Sequence, residues 1–200
     1  MSISPIVLLW SVVSVLVSVA CTISFVFPSW ITHPDLLHSF GMFNYCVRNT
    51  RTSLTTSTAS TCLTYSHATS VAKIPSGAWN ASCILFGSGC VFQCVAAIVS
   101  VGVVFLRKRW HRRLAVADGY LQTVAVLIMT AGLLMFPMGF DTPFFRYYCG
   151  EKSGQYNSGH CSIGWSYMLA ILGVAISIFC PILSNLTDAK HNEDDMFEFL

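Results

Sequence analysis

Residues 81–113 read ASCILFGSGCVFQCVAAIVSVGVVFLRKRWHRR, an apolar run followed directly by a basic cluster. No charged residue occurs from Ala81 to Leu106, whereas five of the eleven Lys and Arg residues of the chain follow within seven positions. Such a run is typical of a transmembrane helix, because lipid offers no partner for free backbone N–H and C=O groups. The five basic residues are Arg107, Lys108, Arg109, Arg112 and Arg113.

Three further apolar runs have the same character and occupy about residues 5–27, 119–138 and 163–186. The first would rise about 34 Å as a helix, enough to cross a hydrocarbon core of about 30 Å. No Asp, Glu, Lys, Arg or His lies within the four runs. Because an ionisable group inside a span usually marks a proton relay, an ion path or a voltage sensor, we expect none of these from this chain alone.

The composition excludes other classes of protein. Of the 200 residues, 54% are hydrophobic and only 10% charged, where a soluble domain carries about 25% charged residues. The net charge of +2 is too small for a nucleic-acid binder, which must neutralise many phosphates. Residues 1–187 therefore form a four-span membrane domain surrounded by lipid, and residues 188–200 form an acidic tail. No metal ion or cofactor is expected.

The basic cluster predicts the orientation of the spans. The positive-inside rule places the connection 107–118 in the cytoplasm. Both termini are then cytoplasmic, the connections 28–80 and 139–162 are extracellular, and the protein is a multi-pass protein of the plasma membrane. The cysteines support the same topology, because the connections outside hold an even number each and the cytoplasmic segments hold none.

Two local disulfide bridges are expected outside the cell. Cys46 and Cys62 flank most of a Thr-rich segment in the first connection, which predicts a hairpin closed by a bridge worth roughly 3 kcal/mol. Cys149 and Cys161 lie twelve positions apart around a Gly-rich turn in the second connection. Four cysteines allow three pairings, and only their proximity along the chain favours this one.

Small residues recur along the spans at alternating steps of three and four. This spacing favours a left-handed helix bundle, since small residues let helix backbones approach closely in lipid. Packing within the bundle is the favoured interpretation, and docking of a partner helix is the alternative. Gln93 and Gln122 are expected to form hydrogen bonds between helices. The packing residues are Cys83, Gly87, Cys90, Cys94, Gly173 and Ser177.

Several motifs outside the spans occur together in one known family. Trp30 precedes the stretch Gly41-Met42-Phe43-Asn44-Tyr45-Cys46, and Ile74-Pro75-Ser76-Gly77-Ala78-Trp79 leads into the second span. Pro137-x-Gly139-Phe140-Asp141, Cys149-Gly150, Cys161 and Trp165 follow in the same order. Over nearly its whole length, the chain resembles the lipoma HMGIC fusion partner-like (LHFPL) tetraspans, a claudin-like family.

The resemblance implies a left-handed bundle of four transmembrane helices with a small extracellular β-sheet. It also implies a non-enzymatic role as an auxiliary subunit or assembly partner of an ion channel or receptor. In the branch of the family that this chain resembles, members associate with the hair-cell mechanotransduction complex, including a protocadherin, or with GABA-A receptors. The segment Phe40 to Tyr45 is the candidate for partner contact. A homodimer and a PDZ protein bound to Glu198-Phe199-Leu200 are further candidate associations.

Two other functions compete with this one. The first is a claudin-like junction or adhesion protein that polymerises side by side. The second is a membrane enzyme or redox protein, which the sequence disfavours because it lacks a Cys-x2-Cys pair and a catalytic residue within a span.

Overall fold

The computed structural model describes residues 5–35, 38–48, 60–65, 76–105 and 108–187. The chain contains long helices and short strands. A further helical stretch, residues 179–187, follows α5. The helices are α1 (Pro5–Val26), α2 (Gly77–Phe105), α3 (Lys108–Met135), α4 (Pro143–Cys149) and α5 (Trp165–Ser177). The strands are β1 (Ile31–Thr32), β2 (His38–Phe40), β3 (Asn44–Arg48), β4 (Ser60–Thr64) and β5 (Ser162–Ile163).

Four helical segments are long and apolar enough to cross a membrane, as the sequence predicted. They are Pro5–Val26, Gly77–Phe105, Arg112–Phe140 and Trp165–Thr187. Each leaves large apolar side chains exposed, among them Leu16, Ile98, Leu127 and Leu172. Such exposure on every span is what contact with lipid requires.

The third helix begins earlier than the apolar pattern indicated. Residues 107–118 were expected to form a connection, but α3 starts at Lys108. Nothing in KRWHRRLAVAD interrupts a helix, because Arg, Lys, Leu and Ala all have high helix propensity. Asp118, which directly precedes the expected run 119–138, lies within the helical segment Arg112–Phe140 and is 2% exposed.

Prolines modify the ends of the last two spans. Pro137 lies in a 3-10 helix, Phe136–Phe140, which follows α3 directly. α5 ends at Ser177, four residues before Pro181, because a proline ring clashes with the carbonyl of the residue four positions earlier. The Ser177 hydroxyl donates to the carbonyl of Val174 at 2.6 Å at this break.

The strands form one antiparallel sheet from both long connections. Its order is β4-β3-β2-β1-β5, so β1 to β4 come from residues 28–80, and β5 lies where the second connection meets the fourth apolar run, at Ser162 and Ile163. Ile31 pairs with Phe40 of β2 on one side and with Ile163 of β5 on the other. The small sheet that the family resemblance implied is thus present, and it joins the two connections.

The chain divides into two compact units. One unit contains Met1–Thr22, Ser88–Met129 and Leu172–Leu200, and we call it the helical unit. The other contains Ile23–Gly87 and Thr130–Ile171, and we call it the sheet unit. The helical unit has a small apolar core that includes Trp10, Val103 and Ala115, and the sheet unit has a core rich in aromatic rings.

Candidate functional site

Two disulfide bridges stabilise the sheet unit. Cys46 of β3 lies directly opposite Cys62 of β4, and the two are bonded with their Cα atoms 4.0 Å apart. Cys149, the last residue of α4, is bonded to Cys161, with a Cα separation of 5.2 Å. Of the three pairings that four cysteines allow, this is the local one that we expected. Each bridge therefore constrains one connection by itself.

Two tryptophans hold the sheet unit together from inside. Both indoles are fully buried, and each donates its N–H to a backbone carbonyl. Trp30 donates to Ser24 at 2.7 Å, and Trp79 donates to Met42 at 3.1 Å. Both rings also pack edge-on against Phe136, with centroids 4.8 and 5.1 Å away. Trp30 and Met42 are therefore buried structural parts of the sheet unit that a partner protein cannot contact at its surface.

Two motif glycines allow the backbone to come close to its neighbours. A Cβ atom at Gly41 would lie 2.7 Å from the Cα atom of Pro28. A Cβ atom at Gly139 would lie 3.0 Å from Oγ of Ser76 and 3.3 Å from Cβ of Trp79. A side chain at Gly41 would force the backbone apart, which explains a glycine there on packing grounds alone.

The short helix α4 was not predicted, although its start carries a recognisable signal. Thr142 caps it by accepting a hydrogen bond from the Phe145 N–H at 3.4 Å, and Pro143 occupies the first helical turn. A Thr-Pro pair in this position is a known helix start. Gly150 follows α4 with φ of +92°, a backbone conformation that glycine adopts at little cost.

Asp141 and Trp165 both lie at the surface. Asp141 forms an ion pair with Arg146 of α4, and both side chains are exposed, so the pair contributes little to stability. Trp165 is half exposed at the start of α5 and packs edge-on against Phe27 with centroids 5.2 Å apart. Among the motif residues that the structure describes, Gly77 is also exposed.

The segment proposed for partner contact, Phe40 to Tyr45, is largely internal. Phe40, Gly41 and Met42 are buried, and only the second half of the segment is partly accessible. Tyr45 stacks on Tyr65 with centroids 5.3 Å apart. Burial raises the pKa of the Tyr65 hydroxyl, and the neighbouring Tyr45 adds to this shift, so Tyr65 stays neutral at physiological pH.

Other side chains of the sheet unit offer a better contact surface. Tyr147 of α4 is 83% exposed. Leu63 of β4 and Ile163 of β5 are exposed on the two edge strands of the sheet. Sequence reasoning did not single out these three residues. Alternation along β4 does not single out Leu63, because Thr61, Cys62, Leu63 and Thr64 are all exposed.

The helical unit contains a buried cluster of polar side chains. The Trp10 indole donates to Oε1 of Gln122 at 3.2 Å, and the Gln122 amide donates to Oγ of Ser14 at 3.0 Å and to Oδ2 of Asp118 at 3.2 Å. Gln122 thus joins α3 to α1, as expected. Oδ1 of Asp118 has no partner among the described residues.

Gln93 differs from Gln122. Its side chain is fully buried in α2, and neither its oxygen nor its nitrogen has a hydrogen-bond partner among the residues that the structure describes. The expected hydrogen bond between helices is therefore not formed there.

The small residues of the spans pack against particular neighbours. A Cβ atom at Gly87 would lie 3.0 Å from the Phe25 ring, and one at Gly173 would lie 2.8 Å from Sγ of Cys21. Cys94 is half-buried and accepts a hydrogen bond from Oγ of Ser18 at 3.1 Å. The remaining packing residues, Cys83, Cys90 and Ser177, are buried.

Some of the predicted site residues lie outside the described residues or are only partly described. Arg112 and Arg113 are exposed on α3, and Lys108 and Arg109 belong to the start of the same helix. Arg107, Pro75 and the tail 188–200 lie outside the residues that the structure describes, as does most of the Thr-rich segment.

Comparison with known proteins connects this architecture to one family. Residues 6–188 match the family model described as lipoma HMGIC fusion partner-like protein. The human LHFPL tetraspan subfamily member 2 protein is 26% identical, with 96% of this chain and 90% of that protein aligned. The member 7 protein of Xenopus tropicalis is 29% identical over 91% of this chain and 92% of its own length. The member 3 protein of Xenopus laevis is 27% identical, with 90% and 82% covered.

Proposed function

Since the chain belongs to the lipoma HMGIC fusion partner-like tetraspan family, we propose that it serves a membrane complex as a non-enzymatic auxiliary subunit. Its partner is an ion channel or receptor, which it helps to assemble or deliver to the plasma membrane. A mechanotransduction channel and a ligand-gated receptor are the two types that we consider first. A claudin-like junction protein is the alternative, and strands in freeze-fracture images of transfected cells would support it.

One observation carries this proposal, which is how the sheet unit is built. Two bridges, two internal tryptophans and a sheet from both connections fix its backbone, while Leu63, Tyr147 and Ile163 remain exposed. A surface whose backbone is fixed in advance loses little conformational entropy on binding. A few residues supply most of the binding energy at protein interfaces, and tyrosine is enriched among them, which favours Tyr147 as an anchor of this surface.

The proposed orientation places the sheet unit outside the cell and both termini in the cytoplasm. Four basic residues lie near the start of α3, Lys108, Arg109, Arg112 and Arg113, and both bridges lie in the connections that follow the first and third spans along the chain. An epitope tag at the C-terminus should bind antibody only after permeabilisation, whereas a tag near Ser57 should bind on intact cells. Labelling of the C-terminal tag on intact cells would overturn this orientation.

Affinity purification from native tissue in mild detergent, followed by mass spectrometry, tests the proposed function. We expect a channel or receptor subunit in stoichiometric amount. Leu63→Glu and Ile163→Glu should each lower its recovery at unchanged surface level. Thr64→Glu changes an exposed residue of the same strand whose side chain faces the side opposite to Leu63, and it is the matched control for the added charge. A stoichiometric partner of another class, or recovery unaffected by both variants, would contradict the proposal.

A further inference from the structure

The sheet unit contains a cavity of about 190 Å³ at the end of two spans. Its walls include Phe136 and Phe140, which close the third span, and Tyr167, which lies in the first turn of the fourth. Trp30 and Tyr156 complete a lining in which five residues are aromatic. Because the spans end here, the cavity lies at the depth where lipid head groups meet the hydrocarbon core.

The aromatic walls have their hydrogen-bonding groups occupied. The Trp30 indole donates to Ser24, and the hydroxyls of Tyr156 and Tyr167 donate to the carbonyls of Leu134 and Leu133 at 3.1 and 3.2 Å. No residue that lines the cavity carries a charge, among those that the structure describes. The rings therefore have no free donor for an anion, and the Ser158 hydroxyl is the one other polar side chain of the lining. Tyr156 and Tyr167 present the accessible ring surface, because Trp30, Phe136 and Phe140 are at most 4% exposed.

Tyr156 forms the accessible wall and has an unusual backbone. It is the one non-glycine residue with positive φ in the described part of the chain, at +61°. Its N–H donates to the Pro137 carbonyl at 3.2 Å, and its side chain is 62% exposed. A residue held in this conformation by contacts of both its backbone and its hydroxyl often lies at a ligand site.

We propose that this cavity binds a quaternary ammonium group, as in a choline-type head group. Aromatic rings attract such a cation through their negative faces, and a trimethylammonium group needs no hydrogen-bond acceptor. A primary ammonium group does need acceptors, and the carbonyls of Leu133, Leu134 and Pro137 already accept bonds from Tyr167 and Tyr156. The size also agrees, because apolar cavities of about 150 Å³ hold benzene.

The first test uses free ligands with the full-length protein in a maltoside detergent, which contains no choline. Choline with ¹³C-labelled methyl groups and tetramethylammonium should bind, and their methyl NMR signals should move upfield under the ring currents. The neutral isostere 3,3-dimethylbutan-1-ol should bind much more weakly. Equal binding of the neutral isostere would overturn the proposal and identify an apolar pocket, and absence of binding by both cations would also overturn it.

Variants locate the binding within the cavity. Tyr156→Ala removes the accessible wall and should weaken choline binding about 2- to 30-fold, the range of one cation–π contact. Tyr147→Ala, an exposed tyrosine of the same unit that does not line the cavity, is the matched control and should leave binding unchanged. Equal loss in both variants, or loss in neither, would contradict this placement.

Lipid nanodiscs distinguish the two sources of the ligand. Phosphatidylcholine and phosphatidylethanolamine are both zwitterionic and differ in the methyl groups of the ammonium. If the source is a lipid, Tyr156-dependent upfield signals should appear for labelled phosphatidylcholine, and thermal stability should exceed that in phosphatidylethanolamine. If free choline binds but the two lipids give equal results, the ligand is a soluble quaternary ammonium compound.

Discussion

The indole N–H of Trp10 donates a hydrogen bond of 3.2 Å to Oε1 of Gln122, which lies 112 positions later in the chain. This bond joins the first and third spans inside the helical unit, where lipid and water cannot supply a substitute. The Gln122 amide then reaches Ser14 and Asp118. One glutamine thus satisfies polar groups of two helices, and its removal would leave three of them without this partner.

Gln122→Leu should therefore destabilise the protein by about 1–3 kcal/mol, because buried polar groups lose their partner. Thermal unfolding in detergent measures the change. Thr123→Leu is the control, since Thr123 is exposed on the same helix and its hydroxyl bonds only to the carbonyl of Gly119. Equal stability of the Gln122 variant and the wild type would mean that the cluster contributes nothing.

Asp118 gives a second, separable prediction. Asp118→Asn keeps an oxygen that can accept the bond from Gln122, and it removes a charge whose burial is unfavourable. We expect this variant to be at least as stable as the wild type and to reach the cell surface. Asp118→Leu removes the acceptor and should be less stable. If Asp118→Asn abolishes surface delivery or partner function while folding normally, the carboxyl group itself has a functional role.

The bridge between Cys46 and Cys62 predicts an unusual order of severity. Cys46→Ser alone should be worse than Cys46→Ser combined with Cys62→Ser, because the single variant leaves a thiol that can mispair. Cys62 is exposed, which increases this risk. We expect the single variant to be retained in the endoplasmic reticulum. Surface biotinylation, which does not depend on a glycan, measures the fraction of each variant that reaches the surface. A double variant as strongly retained as the single one would show that loss of the bridge is what matters.

Gly87 distinguishes packing inside the protein from packing against a partner. Its position against Phe25 predicts that Gly87→Leu overpacks the sheet unit, costs typically about 1–3 kcal/mol and lowers surface expression. Gly102→Leu on the same helix is the control, because no atom of the described residues, apart from its chain neighbours and its own helix backbone, lies within 4 Å of a Cβ at that glycine. Normal surface delivery of Gly87→Leu with loss of the partner would instead mean that this face docks a partner helix.

The sequence predicted those elements whose cause is local. Four apolar runs became four spans because lipid permits only helices there. Cys46 and Cys62 were close in sequence and flanked strand-forming residues, so their hairpin was predictable. The start of α3 was misplaced because charge was taken as a boundary, although a helix can continue through Arg and Lys into the cytoplasm.

The contact surface was harder to predict because it depends on tertiary packing. The motif segment Phe40 to Tyr45 combines aromatic and small residues, which fit a partner contact and an internal core equally well. Only the indole bond from Trp79 to Met42 and the approach of Gly41 to Pro28 show that its first half is internal. The pairing of β1 with β5 likewise joins residues about 130 positions apart, and no local signal announces it.

Exchange of residues 28–80 with those of a relative that has a different partner tests the central claim most directly. These residues supply β1 to β4, including exposed Leu63, whereas the second connection supplies α4 with exposed Tyr147 and leads into β5. A second chimera, which exchanges residues 139–162, measures what Tyr147 and the rest of that connection add to the specificity. If the sheet unit determines specificity, the first chimera should co-purify with the relative's channel or receptor subunit, at least in part. A chimera that folds, reaches the surface and keeps its original partner unchanged would contradict the account and shift specificity to the membrane-spanning helices.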